Sequence, residues 1–115
     1  MQTVSKYQPL AHYQWGNSCD GWILVDAETL SVKQEKMPPL ASEALHYHKK
    51  AQQFFYILSG TATFEADNKI YTVRRGEGFH ILPGIIHRVC NYAAEPLEFL
   101  LSSQPSTNND RYNII

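Results

Sequence analysis

HYHKKAQQFFYILSG, residues 46–60, decides the fold of this chain together with GEGFHILPGIIHRVCN, residues 76–91. Side chains alternate between the two faces of a strand, so His46 and His48 share one face and lie about 6.6–6.8 Å apart along it. Both imidazoles can then reach one metal ion at bond lengths of about 2.1 Å. No carboxylate follows in this stretch, and glutamines occupy positions 52 and 53. The pair therefore looks like half of a metal site, and a chance pair on the protein surface is the alternative.

Short strands dominate the rest of the chain. Runs rich in alternating apolar residues are bounded by turn signals such as Pro38-Pro39, Asp67-Asn68 and Pro83-Gly84. No segment keeps a 3.6-residue period over three turns, which argues against helices. Closely spaced short strands are typical of an antiparallel barrel or sandwich. The pattern predicts about nine strands, over residues 21–25, 30–37, 45–48, 53–58, 61–66, 69–73, 79–82, 87–91 and 97–102.

A length of 115 residues fits one domain with one core. We expect a single domain over residues 1–115, with the barrel at about residues 21–102. Residues 1–20 are predicted to form an N-terminal arm. Residues 103–115 are polar and poor in strand formers, so they are predicted to form a C-terminal tail.

Composition and charge exclude several classes of protein. A net charge of −1 provides no broad basic face, so we expect no nucleic-acid partner. No segment approaches the ~18 apolar residues of a membrane span, and the first ten residues lack the apolar region of a secretory signal. The two cysteines, Cys19 and Cys90, have no metal-binding or disulfide-framework spacing. A reducing, cytoplasmic location without a membrane partner is therefore expected.

The two quoted stretches closely resemble the paired motifs of the cupin family, G-x5-HxH-x3–4-E-x6-G and G-x5-PxG-x2-H-x3-N. The resemblance covers residues 35–102. This chain departs from the patterns in three ways: the Gly that opens the first motif is missing before His46, Leu82 replaces Pro and Gln53 replaces Glu. The first two concern turns and strands, whereas the third concerns the metal. The matching segments are His46-x-His48-x4-Gln53-x6-Gly60 and Gly76-x5-Leu82-Pro83-Gly84-x2-His87-x3-Asn91.

The resemblance implies an all-β fold, a double-stranded β-helix or jelly-roll cupin barrel. It also implies one divalent transition metal ion, Fe, Mn, Ni or Zn, inside the barrel. A metal-free cupin is the alternative. Gln52 is the alternative to Gln53 in register, and Gln53 could also hydrogen-bond a metal-bound water or only fill the pocket. The ligands carried over from the family are His46, His48, Gln53 and His87.

The missing carboxylate changes the charge of such a site. Three neutral imidazoles and a neutral amide leave a divalent centre with a net charge near +2 instead of +1. We therefore expect the site to favour anionic ligands, such as a carboxylate or an enediolate. A metal-dependent enzyme of the dioxygenase, isomerase or lyase type, acting on a small polar or carboxylate-bearing molecule, is the function we expect. The alternative is a non-catalytic cupin that binds or senses a small molecule.

Four further residues are candidates for roles at the site. His80 is predicted to be an acid or base near the metal, because histidine titrates near neutrality, although a solvated or interface histidine is the alternative. Glu43 could act as a base at the barrel mouth or be a solvated rim carboxylate. Asp110 and Arg111 could fold over the mouth or reach a partner subunit.

The strand after the first motif predicts an interface. If Gln53, Phe55 and Ile57 point inward, then Phe54, Tyr56 and Leu58 point outward and form a large apolar surface. An intermolecular contact across this surface would cover it. We therefore expect a homodimer.

Overall fold

The computed structural model describes residues 1–115 and consists of strands joined by turns and loops, without helices. The chain accordingly has no helical segment that could span a bilayer. The prediction of an all-β fold is confirmed. The strands are β1 (Ala11–Trp15), β2 (Cys19–Asp26), β3 (Ser31–Met37), β4 (His46–Tyr47), β5 (Gln52–Ser59), β6 (Thr61–Ala66), β7 (Lys69–Arg74), β8 (Gly78–Ile81), β9 (His87–Cys90), β10 (Leu97–Gln104) and β11 (Tyr112–Asn113).

Two antiparallel sheets build the fold. One sheet has six strands in the order β1-β2-β3-β10-β5-β8, and the other has five in the order β11-β4-β9-β6-β7. The apolar core includes Phe55 and Phe99 of the first sheet and Phe64 of the second. The Phe55 ring packs edge-on against Phe64 at 4.9 Å between centroids and lies 5.3 Å from Phe99. The core therefore joins the two sheets through aromatic contacts.

Alternation along β5 follows the sequence pattern. Gln53, Phe55 and Ile57 are buried, whereas Phe54 and Tyr56 keep 44% and 40% of their surface exposed. These two outward aromatic residues belong to the surface from which a homodimer is expected. The homodimer stays a prediction, which sedimentation velocity can check.

Turn residues fix the connections on either side of β6. Asp67 and Asn68 have φ angles of 53° and 62°, the left-handed conformation that two-residue hairpins between antiparallel strands require. Gly60 has a φ of 82°, and a Cβ at this position would overlap the Pro96 carbonyl oxygen. Gly60 is therefore needed both for its backbone conformation and for close packing.

The sheets extend beyond the predicted barrel limits of residues 21–102 at both ends. β1 and the start of β2 lie in the predicted N-terminal arm, and β1 pairs with β2. β11 lies in the predicted C-terminal tail and pairs with β4, through Tyr112 with Tyr47 and Asn113 with His46. Two paired residues need no alternating apolar pattern, because backbone hydrogen bonds can hold them. The polar composition of the tail therefore gave no sign of this strand.

Candidate metal centre

Three histidines converge inside the fold. His46 of β4 is the register partner of His87 of β9, and His48 follows β4 directly. All three are buried, and one ring nitrogen from each lies within 4.8 Å of the others. The structure thus brings together the three histidines that the sequence motifs single out.

Backbone carbonyls set the tautomer of each histidine. Nδ1 of His46 and Nδ1 of His87 each donate to the carbonyl two residues earlier, at Ala44 and Ile85, both at 2.8 Å. Nδ1 of His48 donates to the Asp110 carbonyl at 2.6 Å, from a position 62 residues away. A carbonyl oxygen can only accept, so each Nδ1 carries the hydrogen and each Nε2 presents a lone pair. This arrangement is the usual one for metal-binding histidines.

Burial keeps these imidazoles neutral. Desolvation lowers the pKa of His46 to about 3 and the pKa of His87 to about 4, and it lowers the pKa of His48 as well. Hydrogen bonds to the carbonyls oppose these shifts without reversing them. Metal ions bind the neutral imidazole, so the group has the protonation state that ligation requires.

The second ring nitrogen of His48 is buried without a partner. Nε2 of His48 is fully buried and makes no hydrogen bond. A buried polar atom left in this way costs about 1–3 kcal/mol. A metal ion bonded to Nε2 would remove that cost, so the three histidines fit the metal that the sequence motifs imply.

Gln53 places its amide oxygen beside His87. Its amide nitrogen donates to Ser103 Oγ at 3.1 Å, and its Oε1 lies 3.2 Å from Nε2 of His87. Because the ring hydrogen of His87 is on Nδ1, its Nε2 is an acceptor, as Oε1 of Gln53 is. Two acceptors thus face each other at 3.2 Å. A cation held between them would satisfy both.

Gln52, the alternative in register, points the other way. Its side chain hydrogen-bonds Gln104 at 2.7 Å and His80 at 2.8 Å on the exposed face of the sheet.

His46, His48 and Gln53 border a cavity of about 180 Å³ that carries charges of both signs. Lys33 and Arg111 contribute cations, and Glu35 and Glu43 contribute carboxyl groups. Trp15 and Phe55 form apolar parts of the wall. A small polar molecule is the kind of ligand that such a lining suits.

Glu35 is one of two buried acids at the cavity, and it lies in register with residues of two neighbouring strands. Tyr13 of β1 is the register partner of Gly21 of β2, which is in turn the partner of Glu35 of β3. Gly21 has no side chain, and a Cβ there would overlap the Tyr13 ring. The ring therefore lies over Gly21, and its hydroxyl donates to the Glu35 carboxylate at 2.5 Å. Burial raises the pKa of Glu35, and the hydrogen bond from Tyr13 opposes the rise.

Glu43 is the second buried acid at the cavity. Its carboxylate accepts a hydrogen bond from the Val89 backbone N–H at 3.0 Å and lies 3.5 Å from the half-exposed Arg111 guanidinium. Burial raises the pKa of Glu43 to about 7, although Arg111 and Val89 oppose the shift. Glu43 can thus exchange a proton near neutral pH.

The structure places His80 outside this group. On β8 it is the register partner of Phe54, so both side chains lie on the outer face of the sheet. His80 is exposed, hydrogen-bonds Gln52 and does not line the cavity. His80 therefore lies apart from the three histidines, and its role as an acid or base stays a prediction.

Several cavity residues lie outside the two sequence motifs. Lys33 and Glu35 point inward from β3 with the same two-residue period as the buried Ser31 and Met37. Charged residues at inward positions of a strand are a signal that could have identified them. Tyr13 carries no comparable signal, because β1 reaches the cavity only through the tertiary fold. Arg111, one of the residues that the sequence analysis considered for the mouth, lines the cavity.

Comparisons with known proteins agree with this fold. The cupin domain family model matches residues 33–103. The uncharacterized protein MJ1618 of Methanocaldococcus jannaschii is 31% identical over 88 residues, which are 73% of this chain and 70% of that protein. The sequence resemblance to cupins is thereby confirmed.

Two solved structures have the same fold. A predicted oxalate decarboxylase from Thermotoga maritima superimposes with a TM-score of 0.83 at 21% identity, covering 91% of this chain and 100% of that one. A Klebsiella pneumoniae protein described as having a double-stranded β-helix domain gives a TM-score of 0.68 at 21% identity, covering 73% and 70%. The predicted double-stranded β-helix is therefore confirmed, while activities do not transfer at such identities.

Proposed function

The chain belongs to the cupin domain family, and on that premise we propose that it is a metal-dependent enzyme acting on a small carboxylate-bearing molecule. One observation carries the proposal. Three buried imidazoles each bring a ring nitrogen within 4.8 Å of the other two, and two of them, His46 and His48, line a charged cavity. Nε2 of His48 has no other partner.

His46, His48 and His87 would hold the ion, with Gln53 as the fourth donor. Imidazole and amide donors suit Zn, Ni or Fe, and Mn is compatible with the amide oxygen. When bound, a divalent ion supplies a Lewis acid that polarises a carboxylate or carbonyl oxygen.

Arg111 and Lys33 favour an anionic substrate. A guanidinium can bind a carboxylate through two parallel hydrogen bonds. Arg111 is half exposed at the cavity, where its Nη1 lies 3.5 Å from Glu43 and its Nε donates to Asn113 Oδ1 at 3.1 Å. The Thermotoga maritima protein of the same fold is a predicted oxalate decarboxylase, and oxalate is a dicarboxylate. The expectation of a carboxylate ligand rests on the two cations of the cavity and not on the shared fold.

Glu35 and Tyr13 would move the proton. Glu35 is buried, faces the cavity and has a raised pKa, which suits a group that takes a proton from a substrate and returns it. The Tyr13 hydroxyl stabilises the ionised form by donating to it. A buried acid of this kind beside the histidines favours an enzyme over a module that only binds a ligand.

The contact between Tyr13 and Glu35 can be tested without a known substrate. We expect Tyr13→Phe to lower the free energy of unfolding by about 1.5–3 kcal/mol when Glu35 is ionised, since a hydrogen bond to a charged group is lost. The pKa of Glu35 in the folded state lies above the ordinary 4.5. The protonated carboxyl therefore contributes to stability in full below pH 4.5, and this contribution is lost as pH rises through the folded-state pKa. Removing the hydroxyl raises this pKa further. The difference from wild type should therefore be small near pH 4 and grow at higher pH, as measured by urea unfolding.

Gly21→Ala provides a second variant that retains both side chains. Gly21 does not have a left-handed φ, so alanine is disfavoured there only by the Tyr13 ring, which must move. The same growth of the difference with pH is expected. Tyr71→Phe, on the exposed part of β7, is the control and should show no such trend. If the loss of unfolding free energy relative to wild type did not change with pH in either variant, the hydrogen bond between Tyr13 and Glu35 would be contradicted.

Metal analysis tests the proposed function most directly. Protein purified anaerobically without a histidine tag should contain roughly one equivalent of a divalent transition metal. Calorimetric titration with glycolate should then show binding to the metal-loaded protein and much weaker binding after chelation. Absence of metal after reconstitution, or equal glycolate binding with and without metal, would refute the proposal.

A further inference from the structure

The C-terminal arm, residues 105–115, lies directly against the metal centre. Asp110 is buried there with 6% of its surface exposed. Its carboxylate accepts hydrogen bonds from three consecutive backbone N–H groups, those of Lys49 at 2.7 Å and of Lys50 and Ala51 at 3.0 Å each. The backbone carbonyl of the same residue accepts the hydrogen of His48 Nδ1. A single residue thus contacts both the histidine and the loop that follows it.

The loop at residues 49–51 connects two donors of the centre. It runs from His48 to β5, where Gln53 lies. Three N–H groups directed at one carboxylate define the backbone conformation of the whole loop. The position of His48 relative to Gln53 therefore depends on Asp110.

The other two histidines do not depend on the arm for their tautomer. His46 and His87 donate to carbonyls two residues earlier in their own segments. Only His48 takes its acceptor from a residue far along the chain. Loss of Asp110 should consequently disturb one imidazole of the three, which general destabilisation of the fold would not do.

We propose that Asp110 is a positioning residue for the metal centre, which fixes the His48–Gln53 loop through its carboxylate and the His48 tautomer through its carbonyl. The inference rests on the metal centre proposed above. Groups that orient metal-binding histidines typically contribute 10–100-fold to metal affinity. The C-terminal arm is accordingly part of the site.

Further contacts hold the arm in place beside the centre. Tyr112 stacks on Tyr47 at 5.2 Å between ring centroids, and the Lys49 ammonium lies 4.4 Å from the centre of the Tyr112 ring. The Ile114 N–H donates to the Leu45 carbonyl at 2.9 Å. None of these contacts involves the Asp110 carboxylate. When only that carboxylate is altered, they should therefore retain part of the contact between the Asp110 carbonyl and His48.

The test compares Asp110→Asn and Asp110→Ala with wild type in the full chain. In Asp110→Asn an amide NH2 replaces one acceptor oxygen, so at least one loop N–H loses its partner while the size of the side chain is retained. Asp26→Ala, at the exposed end of β2, is the control. Cobalt(II) titration followed by visible absorption measures affinity, and 15N NMR of the histidine rings in metal-free protein identifies the tautomers.

We expect cobalt affinity to fall about 10–100-fold in the Asp110 variants and to stay unchanged in Asp26→Ala. In metal-free protein the His48 signals should move toward a mixture of tautomers, while those of His46 and His87 stay as in wild type. Lower stability with unchanged cobalt affinity and unchanged His48 tautomer would overturn the inference, because Asp110 would then be only structural. If wild type itself binds no cobalt, the proposed function fails, and the His48 tautomer still decides the role of Asp110.

Discussion

His48→Ala is expected to lower metal affinity by more than about 100-fold, a larger loss than removal of a group that only orients a ligand. The imidazole removed is one of three that converge, and its Nε2 has no partner other than the proposed ion. Wild-type protein should gain about 2.7 kcal/mol of stability at a free metal concentration 100 times the dissociation constant. The variant should gain almost nothing at that concentration. Thermal unfolding with and without added metal measures this difference.

The same substitution should abolish glycolate binding, because the charge that attracts the anion is lost with the ion. His12→Ala is the matched control. His12 is an exposed histidine that hydrogen-bonds Asp20 at 3.0 Å, and it does not line the cavity. The His12→Ala variant should bind metal and glycolate as the wild type does. Stoichiometric metal in His48→Ala would show that the three histidines do not act as one centre.

The sequence allowed much of this centre to be predicted, because its parts are close together in motifs. His46 and His48 are two residues apart, and a strand brings such a pair to one face. His87 required the resemblance to cupins, since spacing alone does not show which strand pairs with β4. Alternation also separated Gln53 from Gln52, and the structure buries the first and leaves the second on the outer face.

The rest of the cavity depends on contacts that no local pattern encodes. The hydrogen bond between Tyr13 and Glu35 requires the register of three strands and the absence of a side chain at Gly21. Asp110 contacts His48 across 62 residues, from a polar segment whose composition resembles a flexible tail. The sequence pattern predicted β3 as a strand, but it was not used to place Lys33 and Glu35 on the inward face. Such charges at inward positions are a sign of a binding cavity that can be sought in other sequences.

Gln53→Glu should change metal binding and anion binding in opposite directions. A carboxylate at this position adds a negative charge to the donor set, so metal affinity should rise about tenfold or more. The metal-loaded centre then falls from a net charge near +2 to near +1. One unit of charge at about 4 Å corresponds to roughly 4 kcal/mol at an effective dielectric constant of 20. Even after screening, glycolate affinity should fall at least about tenfold.

The metal-free variant should in turn be less stable than wild type. Gln53 is 5% exposed, and a carboxylate there would face Nε2 of His87, which is an acceptor, with Ser103 Oγ as its nearby donor. A buried charge without a compensating partner is destabilising, by about 1–3 kcal/mol or more. Added metal should remove this deficit, so the unfolding temperatures of variant and wild type should change order as metal is titrated in.

Gln52→Glu introduces the same charge one position earlier, on the exposed face of β5. Calorimetry with metal and with glycolate, run on both variants, separates a general effect of charge from ligation. Gln52→Glu should leave both affinities near those of wild type. If Gln53→Glu did the same, Gln53 would not be a donor, and the centre would consist of the three histidines alone. If instead both affinities rose together, the preference for anions would not arise from the neutral amide, and its source would have to be Lys33 and Arg111.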